Sequence, residues 1–352
     1  MPDAPDATND RPAPDGVERE PANPADPSYL QPPPGLRVRR PDDDDQPLIV
    51  ELYARAAVVS GAGTTGRGAL RTDRDLARTW TERRNDALVV EHDGAIVGYL
   101  EFHESYDPWT PELDLYAEGR VDPSAAGNGV GTFMLQRARD RADRAAARNP
   151  QLTTELRTTL VDPSPDVLRV FANHGLVQQR HMLQLRIDIG PATPAPVWPT
   201  GTRPSAAGRV EVASLHAAVV ESFDDHHLGA TDDLDGWQRV AIDAGRVQLA
   251  ASLVALDDDG RPIGVALGRS GASGDPGLGV ITDLGVVPAW RGRGLATALL
   301  RASFARFAEL GVDRVGLDVD DITLDGAFRL YERAGMEVVH HTVVLTTGPL
   351  RS

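Results

Sequence analysis

Two stretches of the chain alternate apolar and polar positions with a period of two around a tight turn. Ala87 to Phe102 reads ALVVEHDGAIVGYLEF, and Ala251 to Gly268 reads ASLVALDDDGRPIGVALG. Each predicts strand, Asp-Gly turn, strand. Ahead of the second hairpin, Val212, Leu215, Val219 and Phe223 recur at spacings of three and four, the period of a helix with one buried face. Beyond it the pattern predicts an apolar strand from Leu278 to Val287 that ends at Pro288, then a glycine-rich turn. A long helix from about Leu295 to Leu310 follows, stopped by Gly311. Strand Arg314 to Val319, a helix around Ala327 to Arg333 and a closing strand Val338 to Leu345 complete the series.

The first half of the chain repeats this order. Gly98 answers Gly264, Pro123 answers Pro288, and Gly129 answers Gly294. FANHGLVQQ (Phe171 to Gln179) answers YERAGMEVV (Tyr331 to Val339). Matches in one order at a nearly fixed offset mean that one domain was duplicated, and 352 residues suffice for two cores. The first 35 or so residues are rich in Pro, Asp, Ala and Asn. They carry too few large apolar groups to offset ordering entropy, so they read as a disordered tail. IGPATPAPVWPTG (Ile189 to Gly201) reads as a semi-rigid linker. The expected organisation is a tail at 1–35, a first domain at 36–189, a linker at 190–199 and a second domain at 200–352. Each domain is of α/β (α+β) class, a mixed twisted sheet flanked by helices.

Composition narrows the partners. The formal net charge is −16 and every basic residue is arginine. Such a chain is poorly suited to neutralising a phosphate backbone, so no nucleic acid is expected; a neutral or cationic small molecule fits better. No apolar run approaches the ~20 residues that span a bilayer, and the first residues lack a basic-then-apolar leader pattern. Without cysteine there are no disulfides or thiolate metal sites. The expectation is a cytoplasmic protein with neither membrane nor metal partner.

The chemistry concentrates in VVPAWRGRGLATALL, Val286 to Leu300. A helix N-terminus offers unpaired backbone amides and a partial positive charge, a ready site for phosphate. Gly292 and Gly294 remove side chains that would hold an anion off those amides. Arg291 and Arg293 add fork-shaped donors. The turn lacks both the Gly-Lys-Ser/Thr ending of a nucleoside-triphosphate loop and the three-glycine spacing of a dinucleotide fold. It reads as a seat for a diphosphate.

Arg291, Gly294 and Ala296 meet the signature R/Q-x-x-G-x-G/A, and Leu330, Tyr331, Gly335 and Met336 meet L-Y-x-x-x-G-[FM]. On these residues the chain resembles the GNAT superfamily of N-acetyltransferases, over the whole second half and more loosely the first. The tandem layout with one weakened copy is similar in architecture to the mycothiol synthase branch. The resemblance implies a sheet whose fourth and fifth strands splay apart, with the pantetheine arm of acetyl-CoA entering beside Leu284, Gly285 and Val286. The pyrophosphate would sit on Arg291, Gly292, Arg293, Gly294, Leu295, Ala296 and Thr297. The amide of Val286 would meet the thioester oxygen, and Tyr331 would protonate the leaving sulfur. The alternative reading has Tyr331 packing its ring beneath the cofactor without transferring a proton.

Asp283 is a carboxylate in an apolar strand, where desolvation raises its pKa. Two readings stand for it: the base that deprotonates the amine, or a carboxylate bonded to a neighbouring segment. Glu221, Asp224, Asp225 and His226 lie in ESFDDHHLGATDDLDGW, after the first helix of the second copy. They are candidates for holding a cationic amine acceptor, with a solvated acidic loop as the bland reading. In the first copy Ala126 replaces Arg291 and Phe171 replaces Tyr331, although Gly127, Gly129 and Gly131 persist and Glu118 answers Asp283. That copy reads as degenerate. The expected activity is acetyl transfer from acetyl-CoA to a primary amine. The rival is a non-catalytic acyl-CoA-binding sensor or scaffold.

Overall fold

The computed structural model of the chain describes residues 32–60, 80, 84–107, 111–190, 193–224, 233–243, 245–271, 275–320 and 324–350. The disordered tail expected at 1–35 therefore lies almost wholly outside the described residues. The described residues divide into two compact units: a first of those up to Met182 together with those from His340 onward, and a second of Leu183–Val339.

In the first unit the elements are β1 (Leu36–Arg39), α1 (Asp45–Ser60), β2 (Ala87–His92), β3 (Ala95–Asp107), β4 (Glu112–Val121), α2 (Val130–Arg148), β5 (Thr153–Val161) and α3 (Pro165–Asn173). Strand β6 (Val177–Asp188) follows, and from Leu183 onward it belongs to the second unit. The second unit continues with β7 (Arg203–Ala206), α4 (Val212–Phe223), β8 (Leu253–Leu256), β9 (Pro262–Ser270), β10 (Leu278–Val286), α5 (Leu295–Glu309), β11 (Arg314–Asp320) and α6 (Leu324–Arg333). Strand β12 (Glu337–Thr346) returns to the first unit at His340.

The strand order is β1-β2-β3-β4-β5-β12 in the first unit and β6-β11-β10-β9-β8-β7 in the second. The last strand of the chain thus pairs antiparallel with β5, Thr342 opposite Val161 through Thr346 opposite Arg157. The Pro-rich stretch at 193–202 has neither helix nor strand. The compact units divide instead within β6 and β12, because a sheet is closed by whichever strand has a free edge and not by the nearest in sequence.

Hydrophobic periodicity sets the layers. In the second unit, Leu215, Ala218 and Val219 of α4 pack on Val254, Val265 and Leu267, which cover one face of the sheet. Leu299 of α5 packs on Ile263, Ala266 and Val286 across the other face. Each fully buried Leu or Val side chain contributes about 1.5–3 kcal/mol of transfer free energy. In the first unit α2 presents Val130, Phe133, Met134 and Ala138 to Leu100, Phe102, Leu115 and Ala117 in the same way. Both hairpins predicted from alternation are present, β2–β3 and β8–β9.

Candidate active site

Strands β10 and β11 run parallel, Leu278 opposite Arg314 through Val280 opposite Gly316. Among the described residues the pairing ends there, although both strands continue. On its other edge β10 stays paired to β9 as far as Val286 opposite Gly264, with a bulge between Ile281 and Asp283. Val287 donates its amide to the carbonyl of Ile263 at 3.1 Å. Antiparallel amides alternate sides, so Asp283 and Gly285 also face β9, while the amides of Leu284 and Val286 face the edge that β11 has left. This is the splay the sequence resemblance implies. The first unit repeats it, since β4–β5 pairing ends at Tyr116 opposite Arg157.

Directly after β10 the chain makes one 3-10 turn, Pro288–Trp290, and enters α5 through Gly292 and Gly294 at φ +74° and +85°. These left-handed values suit glycine, and a Cβ at either position would meet open space. The first i→i−4 bond of α5 runs from Ala298 to Gly294 at 3.1 Å, so the amides of Leu295, Ala296 and Thr297 precede the helical ladder. The first unit repeats this geometry, with Pro123–Ala125 as the 3-10 turn and Gly127 and Gly129 at φ +82° and +80°.

The arginines behave differently from expectation. Arg291 does not hold its guanidinium over the turn. Its Nε donates to the carbonyl of Val286 and its Nη2 to the carbonyl of Ser222, each at 3.0 Å. Carbonyl oxygens at a strand end and in the last turn of α4 are strong acceptors close at hand, and the guanidinium takes both. Arg293 lies over the Trp290 ring, 4.8 Å from its centroid, and its residue is exposed.

Asp283 projects from the α4 side of β10, the face it shares with Gly285. The residue keeps part of its surface, but its carboxyl group is enclosed. Burial pushes the carboxyl pKa up; a hydrogen bond with Thr282 and the charge of Arg246 oppose the shift. Tyr331, on α6, is buried among Ile281, Leu300, Phe304 and Leu317. Burial alone pushes its phenol up to about 12.

On the outer side of α4 a cavity of about 390 Å³ is lined by His216, Ala217, Val220, Glu221, Asp224 and Pro288. It brings the predicted Glu221 and Asp224 together; Asp225 and His226 lie outside the described residues. Glu221 is paired with Arg261 at 2.5 Å. Sequence reasoning missed His216, buried and tilted against Trp237 at 5.2 Å between ring centres. Its signal was a histidine set inside the apolar run of α4. Among the described residues no group of three or more His, Cys, Asp or Glu is placed to hold a metal ion. None of the described helices is long and apolar enough to cross a membrane.

The first unit carries different side chains at the corresponding positions. Cross-strand pairs Tyr99–Arg120 and Glu101–Glu118 stand where the second unit has Val265–Gly285 and Leu267–Asp283. Arg120 covers the Tyr53 ring at 4.8 Å, and Tyr99 donates to buried Glu101 at 2.7 Å.

Residues 60–159 and 216–336 match the Acetyltransferase (GNAT) family, well over half of the chain in two segments. The chain belongs to this family. It is an acetyl-CoA-dependent N-acetyltransferase of tandem GNAT type. The chain is 26% identical over 312 residues to the mycothiol acetyltransferase of Nocardia farcinica, spanning 86% of this chain and 94% of that protein. It is 29% identical over 314 residues to the mycothiol acetyltransferase of Salinispora arenicola, spanning 86% and 94%. Among solved structures, a GCN5-related N-acetyltransferase from Sphaerobacter thermophilus is similar at a TM-score of 0.73 and 26% identity, covering 91% of this chain and 98% of that one. A tandem GNAT protein from the clavulanic acid biosynthesis pathway shares the fold at a TM-score of 0.63 and 17% identity, covering 90% and 99%. The GNAT assignment accounts for the strand order, the splay and the paired glycine turns in one scheme.

Proposed function

We propose that the second unit moves an acetyl group from acetyl-CoA to a primary amine on a small cationic acceptor, by direct attack. The diphosphate rests on the amides between Gly292 and Thr297, with Arg293 beside them. The pantetheine arm runs along the freed edge of β10, and the thioester oxygen meets the Val286 amide, which stabilises the oxyanion. Asp283 takes the proton from the incoming ammonium. The neutral amine attacks the carbonyl carbon, the tetrahedral species collapses as the C–S bond breaks, and the surplus proton on the nitrogen passes to solvent to leave the neutral amide.

Tyr331 serves the departing sulfur. With its phenol near 12 it stays protonated across the neutral range. A thiolate desolvated in the same pocket is itself more basic than in water, which narrows the gap for proton transfer. The acceptor enters from the α4 side, where Asp224 favours a cation and Ala217, Val220 and Pro288 take an apolar body, while Glu221 is held by Arg261. In the first unit Arg120 stands where Gly285 stands in the second, and Phe171 cannot donate a proton, so that copy is read as non-catalytic.

One observation carries this reading: the amides of Leu284 and Val286 face the edge that β11 has left, and a single 3-10 turn separates them from the glycine turn whose following amides precede the helical ladder. The experiment is a screen for thiol released from acetyl-CoA, with amines spanning aminoglycosides, polyamines, peptide N-termini and the amine precursor of mycothiol, since the relatives are named for mycothiol acetylation. The protein has no cysteine and gives no background. Acetyl-CoA uptake without thiol release from any amine would mark a sensor and overturn the transfer reading.

A further inference from the structure

Arg291 connects three elements. It stands in the turn before α5, and its guanidinium reaches the carbonyl of Val286 at the end of β10 and that of Ser222 in the last turn of α4, both at 3.0 Å. The final carbonyls of a helix lack intrahelical partners and carry the negative end of its dipole, so a cation there both caps and neutralises. The contact of α4 with β10 is close. A Cβ on Gly285 would stand 2.7 Å from that of Ser222 and 2.9 Å from the Phe223 ring.

The first unit makes the same tie from the other side. Ala126 stands in place of Arg291, and Arg55 of α1 instead donates through Nε to Asp122 Oδ2 at 2.7 Å. Asp122 precedes Pro123 as Val287 precedes Pro288, and it also accepts the Ser124 amide at 2.9 Å. In both units a guanidinium fastens the helix on the sheet face to the start of the turn, with donor and acceptor exchanged. A phosphate ligand would have no reason to be replaced by an arginine on the neighbouring helix. A fastening would.

We propose that Arg291 is a positioning residue, holding the end of α4 on the end of β10 and so fixing the acceptor side of the site against the Val286 amide. The proposal rests on the acetyl-transfer reading above, in which that amide meets the thioester oxygen. Lysine cannot replace it, because an ammonium is a point charge and does not span two carbonyls as a planar fork does.

The test combines Arg291→Ala, Arg291→Lys and Arg55→Ala in the full chain. Hydrogen exchange on ligand-free protein reads the tie. Arg291→Ala is expected to speed exchange at the end of α4 and of β10 by about tenfold or more, a local opening with the rest protected. Arg55→Ala is expected to do the same at α1. Calorimetry is expected to find the acetyl-CoA Kd within about threefold of wild type, while kcat with the best amine of the panel falls about ten- to a hundredfold, the scale of a small misplacement of reacting groups. Arg291→Lys is expected to recover little of that kcat. Unchanged exchange with a Kd raised tenfold would make Arg291 a phosphate ligand and overturn the proposal. Faster exchange with an unchanged kcat would overturn the positioning role. Wild-type protein that takes up no acetyl-CoA would sink the transfer reading, and the positioning role with it, while the exchange data on the tie would still stand.

Discussion

Gly285 and Ser222 meet so closely that a single methyl on the strand residue would collide with the helix. The Cβ of an alanine at 285 would stand 2.7 Å from the Cβ of Ser222, where real side-chain carbons do not come. One of the two elements would have to move. Gly285→Ala is therefore expected to cost about 1–3 kcal/mol of stability, the scale of an overpacked core. Thermal unfolding checks the stability loss, and kcat should fall with it because the Val286 amide is next along the strand. A variant as stable and active as wild type would show that α4 does not sit tightly on β10.

Burial raises the Asp283 pKa in the fold. A raised acid holds its proton longer in the native state than in the unfolded chain. Stability from this residue is thus fully present below the ordinary carboxylate range and is lost as pH climbs through the folded pKa. Asp283→Asn removes that dependence. Its melting temperature should match wild type near pH 3.5–4 and exceed it increasingly toward neutrality, where about 3.9 is the unfolded reference. Activity should move the opposite way, with kcat/KM strongly reduced at every pH. A variant less stable than wild type at neutral pH would mean that the carboxylate is held charged by its partners.

Tyr331→Phe deletes one buried hydroxyl and leaves the ring. Turnover is expected to fall by one to a few tenfold steps, the usual range for a proton donor, with acetyl-CoA affinity little changed. The alkaline limb of the rate profile should also disappear if it reflects a phenol near 12. Steady-state kinetics and calorimetry separate the two quantities. Unchanged turnover would leave Tyr331 as packing beneath the cofactor.

Gly294 has φ +85° and open space around a notional Cβ. Gly294→Val puts a β-branched residue into a left-handed backbone, at roughly 1–2 kcal/mol or more, and sets its methyls against the helix amides. Acetyl-CoA affinity should drop at least tenfold. Gly129→Val is the matched change in the first unit and should leave both affinity and turnover of the second site intact.

Much of this was legible in the chain. The alternation of Ala87–Phe102 and Ala251–Gly268 became hairpins, and Gly294 became the left-handed cap of α5. Local pattern carries such features because the forces that set them act within a few residues. What the chain concealed was non-local. Strand β12 reads as the closing strand of its own copy, yet from His340 it belongs to the first unit. Period-two alternation says that a strand has a buried face and nothing about which edge it joins. The acceptors of Arg291 are two backbone carbonyls, and a carbonyl has no sequence signature. Glu221 read as an acidic ligand, but its neighbour Arg261 lies 40 positions away on another element.

Cofactor binding in the second unit depends on the diphosphate of acetyl-CoA resting on bare amides between Gly292 and Thr297. Titration calorimetry of wild type, Gly294→Val and Gly129→Val with acetyl-CoA tests it most directly. A saturable site is expected in wild type, lost in Gly294→Val and kept in Gly129→Val. No heat of binding in folded wild-type protein, or a site that survives Gly294→Val and vanishes in Gly129→Val, would contradict it.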